Sequence, residues 1–183
     1  MRTSSILIMF LLATGPVAAQ APIGYAGEQT REIKSLAAQE QADLLAGRGM
    51  GLARAGELNH YPGPAHVLEL RDKLSFSPEQ IAIVEASFRR MLDAARPLGA
   101  ELVERERLLD AAFREGTVTP ARLREDTEAI GALQGRLRAV HLAAHIHMRS
   151  ALTPGQVATY DALRGYTDTA TAPSDRRHHV PPG

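Results

Sequence analysis

His141, His145, His147 and Met148 stand within eight residues of one another, a density of transition-metal donors found nowhere else in the 183-residue chain. Imidazole suits zinc, copper and nickel, and thioether sulfur suits the softer ions. On a helix, at about 100° per residue, His141, His145 and Met148 fall within roughly a 60° arc while His147 points elsewhere. A histidine pair at i and i+4 is a metal-ligand spacing on one helix face. His141 and Met148 lie roughly 10 Å apart along the axis, so one ion takes His141 with His145, or His145 with Met148, and either pair needs further ligands. Antiparallel helix pairing brings Glu85, Met91 and Asp93 alongside as further donors, although Arg89 and Arg90 oppose a cation there. His60 and His66 are additional donors, and His178 and His179 form a last pair near the end of the chain. The ions this set favours are Zn, Cu or Ni. A reading without metal exists for each: histidines in the last turns of a helix favour its dipole when protonated, and His147, at an apolar-repeat position, suits a packed core.

Other chemistry is poorly supplied. There is no cysteine, and Ser150 stands beside the histidines without any oxyanion-hole motif. Glu101, Glu104 and Glu106 alternate with Arg105 and Arg107, the pattern of a solvated, salt-bridged helix face rather than a catalytic carboxylate pair. The glycine-rich run Gly47-Arg48-Gly49-Met50-Gly51 follows no strand and leads to no Gly-Lys-Ser/Thr, so it reads as a flexible break and not a phosphate loop. The chain is therefore expected not to be an enzyme.

The elements that must hold these residues are announced by their starts. Ser77-Pro78-Glu79-Gln80 and Thr153-Pro154-Gly155-Gln156 each place a hydroxyl, a proline and a glutamine at capping-box spacing. The hydroxyl accepts from an orphan N–H, proline suits the first helical position, and glutamine returns to the N–H of the cap. From Pro78 to Glu115, Ile81, Val84, Phe88, Met91, Ala95, Leu98 and Leu102 alternate steps of three and four, a heptad seam. Gly116 stops this helix and Thr119-Pro120 starts the next, whose seam is Ile130, Leu133, Leu137, Val140, Ala144 and His147. So short a connection makes the two helices antiparallel neighbours, each roughly 45–55 Å long at about 1.5 Å per residue. Pro97 should kink the first, with Gly131 and Gly135 opposite it. Short helices are expected over 35–46, over 52–59 with Leu52, Ala55 and Leu58 on its apolar side, and over 66–74. A final helix runs over 154–166. The predicted fold is all-α: a long antiparallel helical hairpin, kinked near Pro97, flanked by short N-terminal helices and a C-terminal helix.

Residues 1–19 read as a secretory signal, with Arg2, the apolar run Ile6 to Ala13, and Val17-Ala18-Ala19 before the cut. That run is shorter than the roughly 20 residues a bilayer span needs, so no stable membrane insertion is expected after cleavage. Residues 20–34 are a polar lead, 35–166 the helical domain, and 167–183 a tail of disordered composition. Basic and acidic residues balance at 21 each, which speaks against nucleic acid as a partner. An exported chain without cysteine must be stabilised by burial alone.

An exported, cysteine-free helical hairpin carrying Leu152-Thr153-Pro154-Gly155-Gln156, and a variant of it in Phe76-Ser77-Pro78-Glu79-Gln80 after Leu74, resembles the Spy/CpxP family with its Leu-Thr-x-x-Gln motif. The wider group includes zinc-resistance-associated and CnrX-like heavy-metal resistance proteins. The resemblance spans roughly residues 70–166; Phe76 and Ser77 replace the motif's Leu and Thr. It implies a periplasmic stress protein, usually a homodimer, that works without ATP. Its implied activities are chaperoning of unfolded or misfolded envelope proteins or damping of a sensor kinase. The alternative it implies is a heavy-metal sensor or resistance protein, with His141, His145 and Met148 as ligands. The histidine pair that CnrX-like sensors carry on an early helix is absent from residues 35–46.

Overall fold

The computed structural model describes residues 24–166 and divides the chain into two units, one ending at Thr30 and the other beginning at Arg31. The expected signal (1–19), the tail (167–183) and the pair His178 and His179 lie outside the described residues. Of the first unit, residues 24–30 form a turn closed by the Thr30 hydroxyl, which donates to the Gly27 carbonyl at 3.1 Å.

The second unit contains α1 (Ala38–Ala46), α2 (Arg54–Glu57), α3 (Pro64–Glu69), α4 (Pro78–Arg114), α5 (Pro120–Ala151) and α6 (Pro154–Arg164). Among the described residues there is no strand, and no helix is long and apolar enough to cross a membrane. The all-α expectation and the long pair of packed helices, α4 and α5, are met.

Both capping boxes form as expected. The Gln80 N–H donates to Ser77 Oγ at 3.2 Å and the Ser77 N–H to Gln80 Oε1 at 3.2 Å; the Gln156 N–H reaches Thr153 Oγ1 at 3.2 Å and the Thr153 N–H reaches Gln156 Oε1 at 3.0 Å. Why there are two becomes clear in three dimensions. The glutamine amides exchange bonds, Gln80 Nε2 to Gln156 Oε1 at 2.9 Å and Gln156 Nε2 to Gln80 Oε1 at 3.1 Å. Each Nε2 then donates to a carbonyl near the other box, Gln80 to Ala151 and Gln156 to Leu74, at 3.2 Å each. One amide pair thus satisfies both helix starts and an orphan carbonyl at the end of α5. Gln156→Ala would strand the Leu74 carbonyl and the Thr153 N–H, at about 1–3 kcal/mol. Urea unfolding of both single variants and the double variant should show a coupling term, the second replacement costing less than the first.

The interior comprises two apolar clusters in sequence along the hairpin. Leu98, Leu102 and Ala95 of α4 pack with Ile130, Leu133 and Leu137 of α5 and Leu44 of α1. Val84, Met148, Leu152, Val157 and Tyr160 pack with Val67 and Leu74 around the two capping boxes. Between them, in chain order along both helices, fall Met91 on α4 and His141 and His145 on α5.

Several sequence expectations need correction. Gly131 and Gly135 do not serve the hairpin contact. Both are exposed, with no atom within 4 Å of a Cβ built on them, because each lies two residues, about 200°, from the seam residues Leu133 and Leu137. The glycine of close approach is Gly99, where a Cβ would overlap the Leu44 carbonyl oxygen and lie 2.7 Å from its carbon. His147 is not a core residue; it is exposed and its Nε2 lies 3.1 Å from Arg90. The helix expected over 52–59 shrinks to the four residues of α2, and its buried side is Glu57, 8% exposed, rather than Leu58, 54% exposed.

Candidate functional site

The histidine layer is closed on one side by residues 49–66. A cavity of about 340 Å³ lies there. His141, His145 and Met91 line it from the hairpin, Met50 and Gly49 from the loop after α1, and Glu57 from α2. The loop follows from α1 ending in a left-handed glycine, Gly47, φ 73°. It runs directly over an imidazole: a Cβ at Gly49 would sit 3.2 Å from His141 Nδ1.

Glu57 organises the wall. Its Oε2 accepts from the Gly63 N–H at 3.1 Å and lies 3.6 Å from His145 Nδ1. Its Oε1 accepts from the Tyr160 hydroxyl and from the Tyr166 hydroxyl at 3.2 Å, faces His66 Nδ1 at 3.1 Å, and lies 3.6 Å from Arg164 Nε. Burial alone would raise its pKa, but the bonds from His66 and Tyr160 and the charges of His66 and His145 outweigh burial and hold it at about 2. Tyr160 responds oppositely: burial, and then its bond to the Glu57 carboxylate, push the phenol well above its usual range.

The two buried histidines differ. His145 Nδ1 lies 2.7 Å from the Tyr61 carbonyl; a carbonyl only accepts, so Nδ1 carries a proton and Nε2 is the ring nitrogen left to meet a ligand. This is how a ligating imidazole is oriented by a backbone or carboxylate partner. His141 is 3% exposed, and its buried Nε2 has no hydrogen-bond partner. Burial, and secondarily the charge of His145, lower its pKa and favour the neutral ring. A buried imidazole nitrogen left without a partner costs about 1–3 kcal/mol.

Of the residues anticipated as ligands, His141 and His145 therefore share the cavity. Met148 does not line it: fully buried, it packs in the apolar cluster with Val67 and Tyr160. Met91 supplies the hairpin thioether instead. Glu85 pairs with Arg89 at 3.7 Å, Asp93 is exposed, and His60 bonds Asp161 at 2.8 Å. Among the described residues no three histidine, aspartate or glutamate side chains are grouped to hold a metal ion by themselves, so a shell built on His141 and His145 would need a further donor such as a thioether or water. Glu57 was not anticipated from the sequence. The available signal was its isolation, as the only acid between Asp43 and Glu69.

A family model described as heavy-metal resistance matches residues 44–159, more than half of the chain. The chain belongs to the heavy-metal resistance family. The resemblance to Spy/CpxP-like proteins is thereby met at family level, and the match begins at Leu44, so it includes the loop, α2 and Glu57 as well as the hairpin. Neither the curated proteins nor the solved structures yield a match. The donor types fit the family's description: two imidazoles, one with a buried nitrogen that has no partner and one whose Nδ1 proton is held by a carbonyl, line one cavity with a thioether residue.

Proposed function

We propose that this heavy-metal resistance family member is a periplasmic metal-binding protein, a sensor or resistance component that acts by binding and not by catalysis. His141 and His145 are its nitrogen ligands, for Zn, Cu or Ni. The observation that carries the reading is that His141, whose buried Nε2 has no partner, and the oriented His145 line one cavity roofed by residues 49–66. Glu57 acts behind them, holding His145 and the Gly63 backbone. Titration of the purified chain with zinc, copper and nickel should show about one equivalent bound. His141→Ala/His145→Ala should weaken binding at least about 10–100-fold, the loss typical of disturbing metal-site architecture. Unchanged affinity in that variant would remove the reading.

A second reading, a chaperone or a modulator of envelope-stress signalling, draws support from apolar side chains left in solvent on the hairpin. Phe113 is 57% and Ile146 62% exposed, surface suited to a second subunit or to unfolded envelope proteins. A sensor kinase would be a partner for either reading. An aggregation-suppression assay with an unfolding client separates them: Phe113→Ser/Ile146→Ser should abolish suppression if these side chains capture clients, and leave metal binding intact.

A further inference from the structure

Resting on the metal-binding reading, and deepening it, we propose that the cavity is selective for a soft monovalent ion of the Cu(I) or Ag(I) type, held by His141, and by His145 beside it, with the thioethers of Met91 and Met50. Four independent features lead there.

The first is the donor inventory. No three histidine, aspartate or glutamate side chains are grouped for an ion among the described residues, whereas two methionines, one from the hairpin and one from the loop, line the same cavity as His141. Thioether sulfur discriminates strongly in favour of soft ions and contributes little to Ni(II) or Zn(II).

The second is that the carboxylate is already committed. Glu57 Oε1 meets three partners, Tyr160, Tyr166 and His66, and Oε2 accepts from Gly63 beside His145. These donors occupy the carboxylate's lone pairs, and His66, His145 and Arg164 already face its charge. Capture by a metal would require several of those bonds to break.

The third is charge. With Glu57 committed, His141, Met50 and Met91 are neutral donors, and the guanidinium of Arg54 stands at the rim, 3.4 Å from a Cβ built on Gly51. The cost of burying an ion rises with the square of its charge, so a monocation meets about one quarter of a dication's penalty. Its repulsion from Arg54 is half as large.

The fourth is the loop. Met50 adopts φ 42°, a left-handed conformation that is uncommon for a methionine. It stands between two glycines, of which Gly49 passes so close to His141 that no side chain fits without displacing the ring. Strain of this kind persists where the surroundings over-determine it, commonly at ligand sites. Met50 is 45% exposed, which suits a ligand that closes on an arriving ion. Met91 is buried.

The test compares wild type, Met50→Leu/Met91→Leu and His141→Ala in the full chain. Leucine conserves volume, so folding should persist and is checked by circular dichroism. Probes are Ag(I) in chloride-free buffer, Cu(I) under anaerobic competition with a chromophoric chelator, and Zn(II) and Ni(II). The expected result is one equivalent of Cu(I) or Ag(I), weakened about 100-fold in the Met50→Leu/Met91→Leu variant, with Zn(II) affinity unmoved by the same change. The ε-methyl resonances of Met50 and Met91, and no other methionine, should shift on adding Ag(I), which a purely structural role would not produce. If Zn(II) or Ni(II) binds through the histidines while the methionine variant holds Cu(I) as well as wild type, the selectivity proposal fails and the metal-binding reading stands. If none of the four ions binds, both fail.

Discussion

Glu57→Ala is expected to lower the stability of the metal-free protein by about 3–5 kcal/mol, the penalty for removing one partner of a buried charged network. The side chains left behind explain the size: the Tyr160 hydroxyl is fully buried, His145 is nearly so, and both lose the acceptor or charge they face. For a chain of this length that corresponds to a melting temperature lower by roughly 6–20 °C. Glu57→Gln keeps an acceptor for Tyr160 and should fall between alanine and wild type. Urea unfolding at neutral pH ranks the three, and equal stability of alanine and wild type would refute the central role given to this carboxylate.

The same network predicts an acid dependence of definite sign. Glu57 is held near 2 in the folded protein against an ordinary 4.5. In the window between those values the unfolded chain binds a proton that the native protein does not. The carboxylate's contribution is therefore complete above about pH 4.5 and disappears as pH falls towards 2. The stability difference between wild type and Glu57→Gln, measured by unfolding from pH 7 downwards, should hold steady and then shrink across that interval. Taking the difference cancels the titration of the other carboxylates.

Gly99→Ala is expected to destabilise by at least about 2 kcal/mol, although alanine in place of a helix-interior glycine ordinarily gains roughly 1 kcal/mol. The sign reverses because the added methyl meets backbone, the carbonyl of Leu44 in the last turn of α1, and not a side chain that can rotate away. Either α4 distorts or α1 lifts, exposing Leu44, whose burial is worth roughly 1.5–3 kcal/mol. Lifting α1 also carries the Gly49 to Gly51 loop off His141. Hydrogen exchange should accelerate in residues 38–46 selectively, and metal affinity should fall with it although no ligand has changed. A stabilised Gly99→Ala protein would show that the two helices do not meet as described.

Much of the architecture was legible because it is encoded over three or four residues. Ser77 with Gln80, Thr153 with Gln156, and Thr119 with Arg122 are each complete within one turn. The alternating apolar steps of α4 and α5 likewise name their buried face, so the hairpin and the common arc of His141 and His145 follow from periodicity. The hairpin's phase is misjudged at residues with no apolar side chain to mark the seam: Gly131 and Gly135, expected at the hairpin contact, and His147, expected in the core, each lie off the buried arc.

The site was only half legible, for a reason of distance along the chain. Glu57 receives Tyr160 from 103 residues away and Tyr166 from 109, and nothing near it in sequence marks a buried acid beyond the lack of other acids around it. The choice of Met91 over Met148 is of the same kind. Both lie on buried faces, and only the path of residues 49–66 over the hairpin decides which sulfur meets the cavity and which the apolar cluster. Local hydrogen bonding and helical periodicity thus specified the elements from sequence alone. Which polar groups those elements enclose, and with what charge, was settled by tertiary packing, because desolvation and pairing depend on neighbours that the chain brings together only when it folds.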